Sequence, residues 1–521
     1  MRSTFHGLET GKRSLFAQQT ALQTTGHNIA NANTVGYSRQ VVNLISSRPI
    51  EAVGMMRTNV PGQLGTGVEF DSITRIRETF LDDQYRNGSQ IHGAWEVRLD
   101  VLEKLETIFN EPSDVGLRSL LDKFWASWHD LSENPEDITA RKLVRETARA
   151  LVDAFNQTHR QLEDLQADLT ENIQVKVAQM NTTLQTIAEL TRQIRRIEAL
   201  GDNANDLRDQ RDVLVDQLSK LVNITVTEAN GIYQVSMGGV VLVNNDTANL
   251  QTVDGIVGNF GGALTGGEIY GTILARDQYV TEYINQLNTL VNGLVNGEVT
   301  ITIPRGSVLP EGTVLNGITY TGSVAARTLA DDLTVTVRGL NGLHQLGYTL
   351  LDPPTAGGPF FVSADGGPIT AGNIRLNPDI EKDASYIASS MRVIENGGTV
   401  TVVKGNKDLA LLISQFNDLK INFSSVSTGA ITGYGSVNDF FRSIVGQLGI
   451  QAQEAERQTE NAKLVIDQVD ARRQAVSGVS LDEEMANMVK FQHAYNAAAR
   501  FITTIDQILD KIINSMGIVG R

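Results

Sequence analysis

The chain has 521 residues, room for roughly three or four domains, with 60 Asp and Glu against 44 Lys and Arg for a net charge of −16. That acidity argues against nucleic acid and against anionic membrane surfaces as partners. With no cysteine, disulfides, thiolate metal sites and a cysteine nucleophile are excluded, and no apolar run of about 18 residues marks a membrane span or a cleaved leader.

The first predicted element is a helix over about 4–30, along which Leu8, Leu15, Leu22 and Ile29 recur every seven residues as a thin coiled-coil stripe. Asn31-Ala32-Asn33-Thr34-Val35-Gly36 ends it, since Asn and Gly tolerate the left-handed conformation that stops helices. Residues 39–75 alternate and carry Pro49, Gly54, Pro61, Gly62, Gly65 and Gly67, a pattern of extended segments and a hairpin.

Helices are predicted from about 75 to 222. Leu117, Leu121, Phe124, Trp128 and Leu131 keep helical spacing up to the break at Asn134-Pro135. Between Ile138 and Leu200 there is neither Pro nor Gly. A single helix there would run roughly 90 Å, a rod. Gly201-Asp202-Asn203-Ala204-Asn205-Asp206 then turns the chain into a return helix carrying Leu207, Leu214, Leu218 and Leu221.

At Asn223 the period switches to two, and short antiparallel strands are expected through Ile224, Val226, Tyr233, Val235 and Val240 to Val243. A helix is expected at about 272–294, with strands again at 298–338 and 359–404. Helical spacing returns at Asp408 and, after a Gly/Ser loop at 424–436, from Val437 to Ala475. Ser480 is a good N-cap for the last helix, with Glu483 at the capping-box position.

That last helix carries the strongest pattern. Steps of four and three alternate through Leu481, Met485, Met488, Gln492, Tyr495, Ala499, Ile502, Asp506, Leu509, Ile513 and Met516. Gln492 and Asp506 interrupt the apolar seam and are expected to set its register. Phe491, Ala498, Ile505 and Ile512 make a second line, and Ala494, Phe501 and Ile508 a third. A helix apolar on three sides needs more than one partner.

The fold class is therefore mainly α with inserted β. A discontinuous terminal coiled-coil domain takes 1–45 and 478–521. A helical rod domain takes 46–222 and 405–477, with extended segments at 46–75. A β-rich domain at 223–404, with its internal helix, is inserted at the tip. No enzyme chemistry is legible. Gly7-Leu8-Glu9-Thr10-Gly11-Lys12-Arg13 has one residue too few for a phosphate loop and Arg13 where a hydroxyl is needed. Asp202–Leu207 lacks the oxygen ligand and the glycine of a calcium loop. The seven histidines are scattered. No catalytic, cofactor or metal residue is assigned, and Asp482-Glu483-Glu484 reads as a complement to the helix dipole.

Two stretches resemble a known family. His27 to Gln40, HNIANANTVGYSRQ, is similar to the N-terminal signature of bacterial flagellar rod, hook and hook-associated proteins. Gly478 to Met485 and Phe491 to Arg500 resemble the C-terminal run of a hook-associated member that joins hook to filament. The resemblance implies a structural adaptor at the hook–filament junction. The paired terminal helices would line an axial channel, the helical rods would surround them, and the β domain would face outward. It also implies copies of the chain in a ring, hook protein below and a second junction protein above. Type III export without a cleavable signal would place it outside the cell, with a cytoplasmic chaperone on the C-terminal helix beforehand. Assembly would fall to Leu8, Leu15, Leu22, Ile29, Asn31, Asn33, Gly36 and Tyr37 at one end. At the other it would fall to Leu481, Met485, Met488, Gln492, Tyr495, Ile502, Asp506, Leu509, Ile513 and Met516. Val35 stands where the family often has Pro, and about forty β-like residues at 298–337 interrupt its usual pattern. The alternatives are another axial protein (second junction, hook or distal rod) or an outer β domain that binds glycans.

Overall fold

The computed structural model describes residues 5–49, 65–109, 116–229, 231–426 and 433–515. Helix α1 (His6–Ala30) is followed by strands β1 (Gln40–Ser46) and β2 (Val68–Arg75), then by α2 (Thr79–Phe109), α3 (Leu117–Glu133), α4 (Ile138–Glu198) and α5 (Asn205–Leu221). A meander of β3 (Thr225–Ala229), β4 (Ile232–Met237), β5 (Val240–Asn244) and β6 (Thr247–Ala248) leads through α6 (Val253–Gly258) to α7 (Gly267–Leu274). A π-helical turn, Ala275–Val280, joins α7 to α8 (Thr281–Asn296). Next come β7 (Glu298–Ile303), β8 (Thr313–Leu315), β9 (Ile318–Tyr320), β10 (Leu333–Arg338), α9 (Gly339–His344), β11 (Phe361–Ser363), β12 (Ile374–Leu376) and α10 (Pro378–Lys382). The chain closes with β13 (Val393–Asn396), β14 (Thr399–Val402), α11 (Asp408–Ser414), β15 (Ile421–Asn422), β16 (Tyr434–Gly435), α12 (Val437–Ser477) and α13 (Leu481–Asp510). It is mostly helical with several small sheets.

The long helix expected from the sequence is α4, 61 residues without a break, because no Pro or Gly interrupts its hydrogen-bond ladder. The helix expected at 272–294 begins earlier, at Gly267, and ends at Asn296. Gly267 marks the start for a steric reason. It has φ +90°, and a Cβ there would strike the Leu221 carbonyl.

The chain divides into two compact units, one of residues 1–94, 174–270 and 458–521, the other of 95–173 and 271–457. In the first, α1 lies along α13 and β1 pairs with β2 from Gln40↔Arg75 to Ser46↔Val68. Its fully buried side chains include Met180, Leu184 and Ile187 of α4, Val215 and Leu218 of α5, and Val235 and Met237 of the meander.

The second unit is built on aromatic contacts. Trp128 of α3 lies 5.5 Å from Phe360, Phe360 lies 4.9 Å from Phe361, and Trp125 lies 5.6 Å from Phe416, between ring centres. His344 is fully buried among them. Its Nε2 accepts the Ala388 N–H at 2.9 Å, so Nδ1 carries the proton and donates to the Gly358 carbonyl at 2.6 Å. Burial holds its pKa down at about 4.

The β-like residues near 298–337 form an excursion that leaves and rejoins this unit at one point. β7 and β10 pair from Glu298↔Arg338 to Leu333↔Ile303, and the Gly339 N–H donates to the Gly297 carbonyl at 2.7 Å. Val299, Ile301, Ile303, Val335 and Val337 face the core, while Thr300–Thr336 and Thr302–Thr334 pair their hydroxyls outside. The excursion thus separates α8 from α9 in sequence and adds Leu309, Leu315 and Leu329 to the same core.

Candidate functional site

Helices α1 and α13 meet in the first unit. α1 and α13 run antiparallel: Gly7 faces Ile505, Gly11 faces Phe501 and Ile502, and Asn28 reaches Glu484. Glycine makes the approach possible. A Cβ at Gly11 would come within 2.7 Å of Ile502 Cγ1, and one at Gly7 within 3.0 Å of Ile505 Cδ1. The buried residues of α1 are Gly11, Ala17, Ala21, Thr24, Thr25 and Asn28, a small and polar set.

Leu8, Leu15, Leu22 and Ile29 are half-buried, each one residue on from the line Gly7, Ser14, Ala21 and Asn28. Of the C-terminal seam, Leu509 is buried and Tyr495 and Ile502 are half-buried. Leu481, Met485, Met488, Gln492, Asp506 and Ile513 are exposed, Met485 by 55% and Ile513 by 69%. Met516 lies outside the described residues. Within one chain the leucine stripe therefore does not bury the methionine seam. Ala498 of the second line is buried and Ile505 half-buried, and the glycines of α1 receive one residue from each line at close range, Ile505 at Gly7 and Ile502 and Phe501 at Gly11. Val489, Phe501, Ile508 and Ile512 are exposed as well. A helix apolar on three sides has one side covered and apolar surface left on the others.

The turn after α1 differs from expectation. Asn31 closes the helix at φ −101°, not left-handed, and its Nδ2 donates back to the His27 carbonyl at 3.1 Å. Thr34 in turn donates to Asn31 Oδ1 at 3.2 Å. These side-chain bonds do the stopping, so the left-handed conformation falls only to Gly36, at φ +79°, where a Cβ would meet Val213. Asn33 is exposed.

A buried polar joint follows. Asn28 Oδ1 accepts from the Tyr37 hydroxyl at 2.8 Å and the Gln40 N–H at 3.0 Å, while its Nδ2 donates to the Gln40 carbonyl at 2.9 Å and to Glu484 at 3.0 Å. No other side chain of that size offers two donors and two acceptor positions. Arg39 donates to Glu484 and Glu483, each at 2.8 Å, and its N–H to the Ser477 carbonyl at 2.8 Å. The expected capping box is therefore absent. Ser480 makes no side-chain cap bond, and Glu483 takes the charge-assisted bond to Arg39, stronger than one to a neutral amide.

The joint extends to α5. Ser38 donates through its N–H at 2.9 Å and its hydroxyl at 2.8 Å to Asp209, and Gln40 Nε2 donates to Asp206 at 2.7 Å. Arg75 bridges Asp209 and Asp212 at 2.6 and 3.0 Å, Arg77 holds Asp82 at 2.7 Å, and Arg86 holds Asp216 at 2.9 Å. Burial raises the Tyr37 phenol, with Asp206, Asp209 and Glu484 adding to it. Burial also raises Asp209, only partly offset by Arg75. At Asp212 burial pushes upward but Arg77, Arg75, Arg211 and Arg86 outweigh it and hold the carboxyl below its ordinary range. The joint is an ion-pair lattice that positions helices.

Sequence reasoning missed Gly7, Gly11, Asn28, Arg39, Asp209 and Glu484 as interface residues. The glycines sit at i and i+4 in a helix, a signal for close approach that was legible. The pairing of Arg39 with Glu484, across most of the chain, had none. Among the described residues no helix is long and apolar enough to cross a membrane.

Comparison with known proteins fits this geometry. Residues 102–298 match the family model described as flagellar hook-associated protein FlgK helical domain. Residues 473–516 match the flagellar basal body rod FlgEFG protein C-terminal model, and 8–37 the flagella basal body rod protein model. The chain is 35% identical over 541 residues to flagellar hook-associated protein 1 of Bacillus subtilis (strain 168), covering all of both chains. It is 27% identical over 550 residues to that of Escherichia coli (strain K12), covering 96% of this chain and 98% of that one. Its fold is similar to the solved flagellar hook junction protein FlgK from Burkholderia pseudomallei, with a TM-score of 0.51 and 14% identity over 77% of this chain and all of that one.

Proposed function

The chain belongs to the flagellar hook-associated protein 1 family, and from that premise we propose that it is the adaptor joining hook to filament. It is a structural protein of the bacterial flagellum. The observation that carries the adaptor reading is the apolar surface left bare on α13: Leu481, Met485, Met488, Val489, Ile508, Ile512 and Ile513. Full burial of such a side chain stabilises by about 1.5–3 kcal/mol, and the chain's own α1 covers another side. Copies set side by side in a ring supply the missing cover, with α1 and α13 forming a coiled coil along the axial channel.

In this reading residues 1–45 and 478–521 act as the terminal assembly domain. Residues 46–222 and 405–477 act as a rod, and 223–404 as the outward β-rich domain. Hook protein lies below the ring and the second junction protein above it. The bare faces of α13 call for a cytoplasmic chaperone before type III export delivers the chain outside the cell. Electron microscopy of flagella from cells lacking this chain tests the reading. Bare hooks with secreted, unpolymerised flagellin are expected, and intact filaments would refute it.

A further inference from the structure

A groove of about 510 Å³ opens in the first unit between the turn after α1 and helices α4 and α5. Leu190, Val213 and Leu214 form its apolar wall, Val35 stands at its rim 87% exposed, and Asp206 lies at its edge. The Asp206 side chain is more than half exposed, although one of its oxygens accepts from Gln40 and lies 3.3 Å from the His27 ring. The groove therefore suits an apolar knob with a cation beside it.

α1 itself carries such a knob. Phe16 is 53% exposed, and Lys12 Nζ lies 6.0 Å from its ring centre, one helical turn away. The knob cannot serve its own groove. Phe16 and His27 share one face of α1 through Thr20 and Gln23, and their separation along the axis is about 16 Å.

We propose that the Lys12–Phe16 face of one copy docks in this groove of a second copy, Phe16 against Leu190, Val213 and Leu214, and Lys12 on Asp206. The contact rests on the reading that copies assemble side by side, and it names where one copy touches the next. Aromatic anchors filling desolvated pockets dominate interface energetics, and the ion pair at the rim sets which partner and which orientation are accepted.

The chain has no cysteine, so an introduced pair reports without background. In full-length protein carrying Phe16→Cys and Leu214→Cys, incorporated into flagella and oxidised, a non-reducing gel should show covalent dimers and larger species. Either single variant should stay monomeric. An intrachain bond would leave the chain monomeric on the gel, so covalent dimers report contact between copies. Lys12→Glu in that background should lower the yield several-fold, and adding Asp206→Lys should restore most of it. Three results overturn the contact: no crosslink in flagella that contain the protein, Phe16→Cys crosslinking to itself, or indifference to charge reversal. Those outcomes leave the adaptor reading standing. Absence of the unmodified protein from the flagella would instead remove both.

Discussion

At the scale of single residues, Glu484 is where the two chain ends are tied. Its carboxylate, 3% exposed, takes Asn28 on one oxygen and Arg39 on the other. By contrast Arg13 and Glu69, also an ion pair between distant segments, are each a third or more exposed, and exposed pairs contribute little. Removing one partner of a charged, buried set leaves the other unsatisfied. Glu484→Ala should therefore cost about 2–3 kcal/mol, seen in calorimetry as a lowered transition of the first unit. Arg39→Ala combined with it should add little, because the pair acts as one. Additive losses would show that the two side chains work independently.

At the scale of elements, the period of each terminal helix was legible in the sequence, but the face it turns inward was not. Three apolar lines on α13 compete. Which of their residues pack is decided in part by Gly7 and Gly11 of α1, against Ile505, Ile502 and Phe501, and the period of α13 does not encode that. Side-chain capping was misread for a similar reason. Ser480 and Glu483 form a local capping pattern, yet Glu483 is claimed by Arg39. The long α4, the hairpin of β1 and β2, and the meander at 225–244 were legible, because Pro, Gly and period two act locally. Gly11 is where the contact between α1 and α13 can be tested. A valine there gains at most about 1 kcal/mol of helix propensity over glycine. Overpacking against Ile502, already within 2.7 Å of a Cβ, costs about 1–3 kcal/mol. The clash should win. In Gly11→Val, amide hydrogen exchange should quicken along 8–28 and 485–509 and stay unchanged in α3. Unchanged protection in both terminal helices would mean that the close glycine contact does not hold the pair.

Across the whole molecule, the structure divides into two units. The second has its own core, in which, among the described residues, Phe124, Trp128, Phe360, Phe361 and Phe416 pack with side chains up to Ala455, and β7 and β10 join it with Gly297 and Gly339 bonded at their base. The first brings the N-terminal and C-terminal helices together and leaves their outer apolar surface bare. The relative from Bacillus subtilis matches over the full length of both chains, so both units belong to one design. If the terminal helices carry assembly, deletion of residues 485–521 abolishes it. The truncated chain should keep the calorimetric transition of the second unit while failing to appear at the hook tip by immunoelectron microscopy. Normal incorporation of the truncated chain there would show that assembly does not depend on α13.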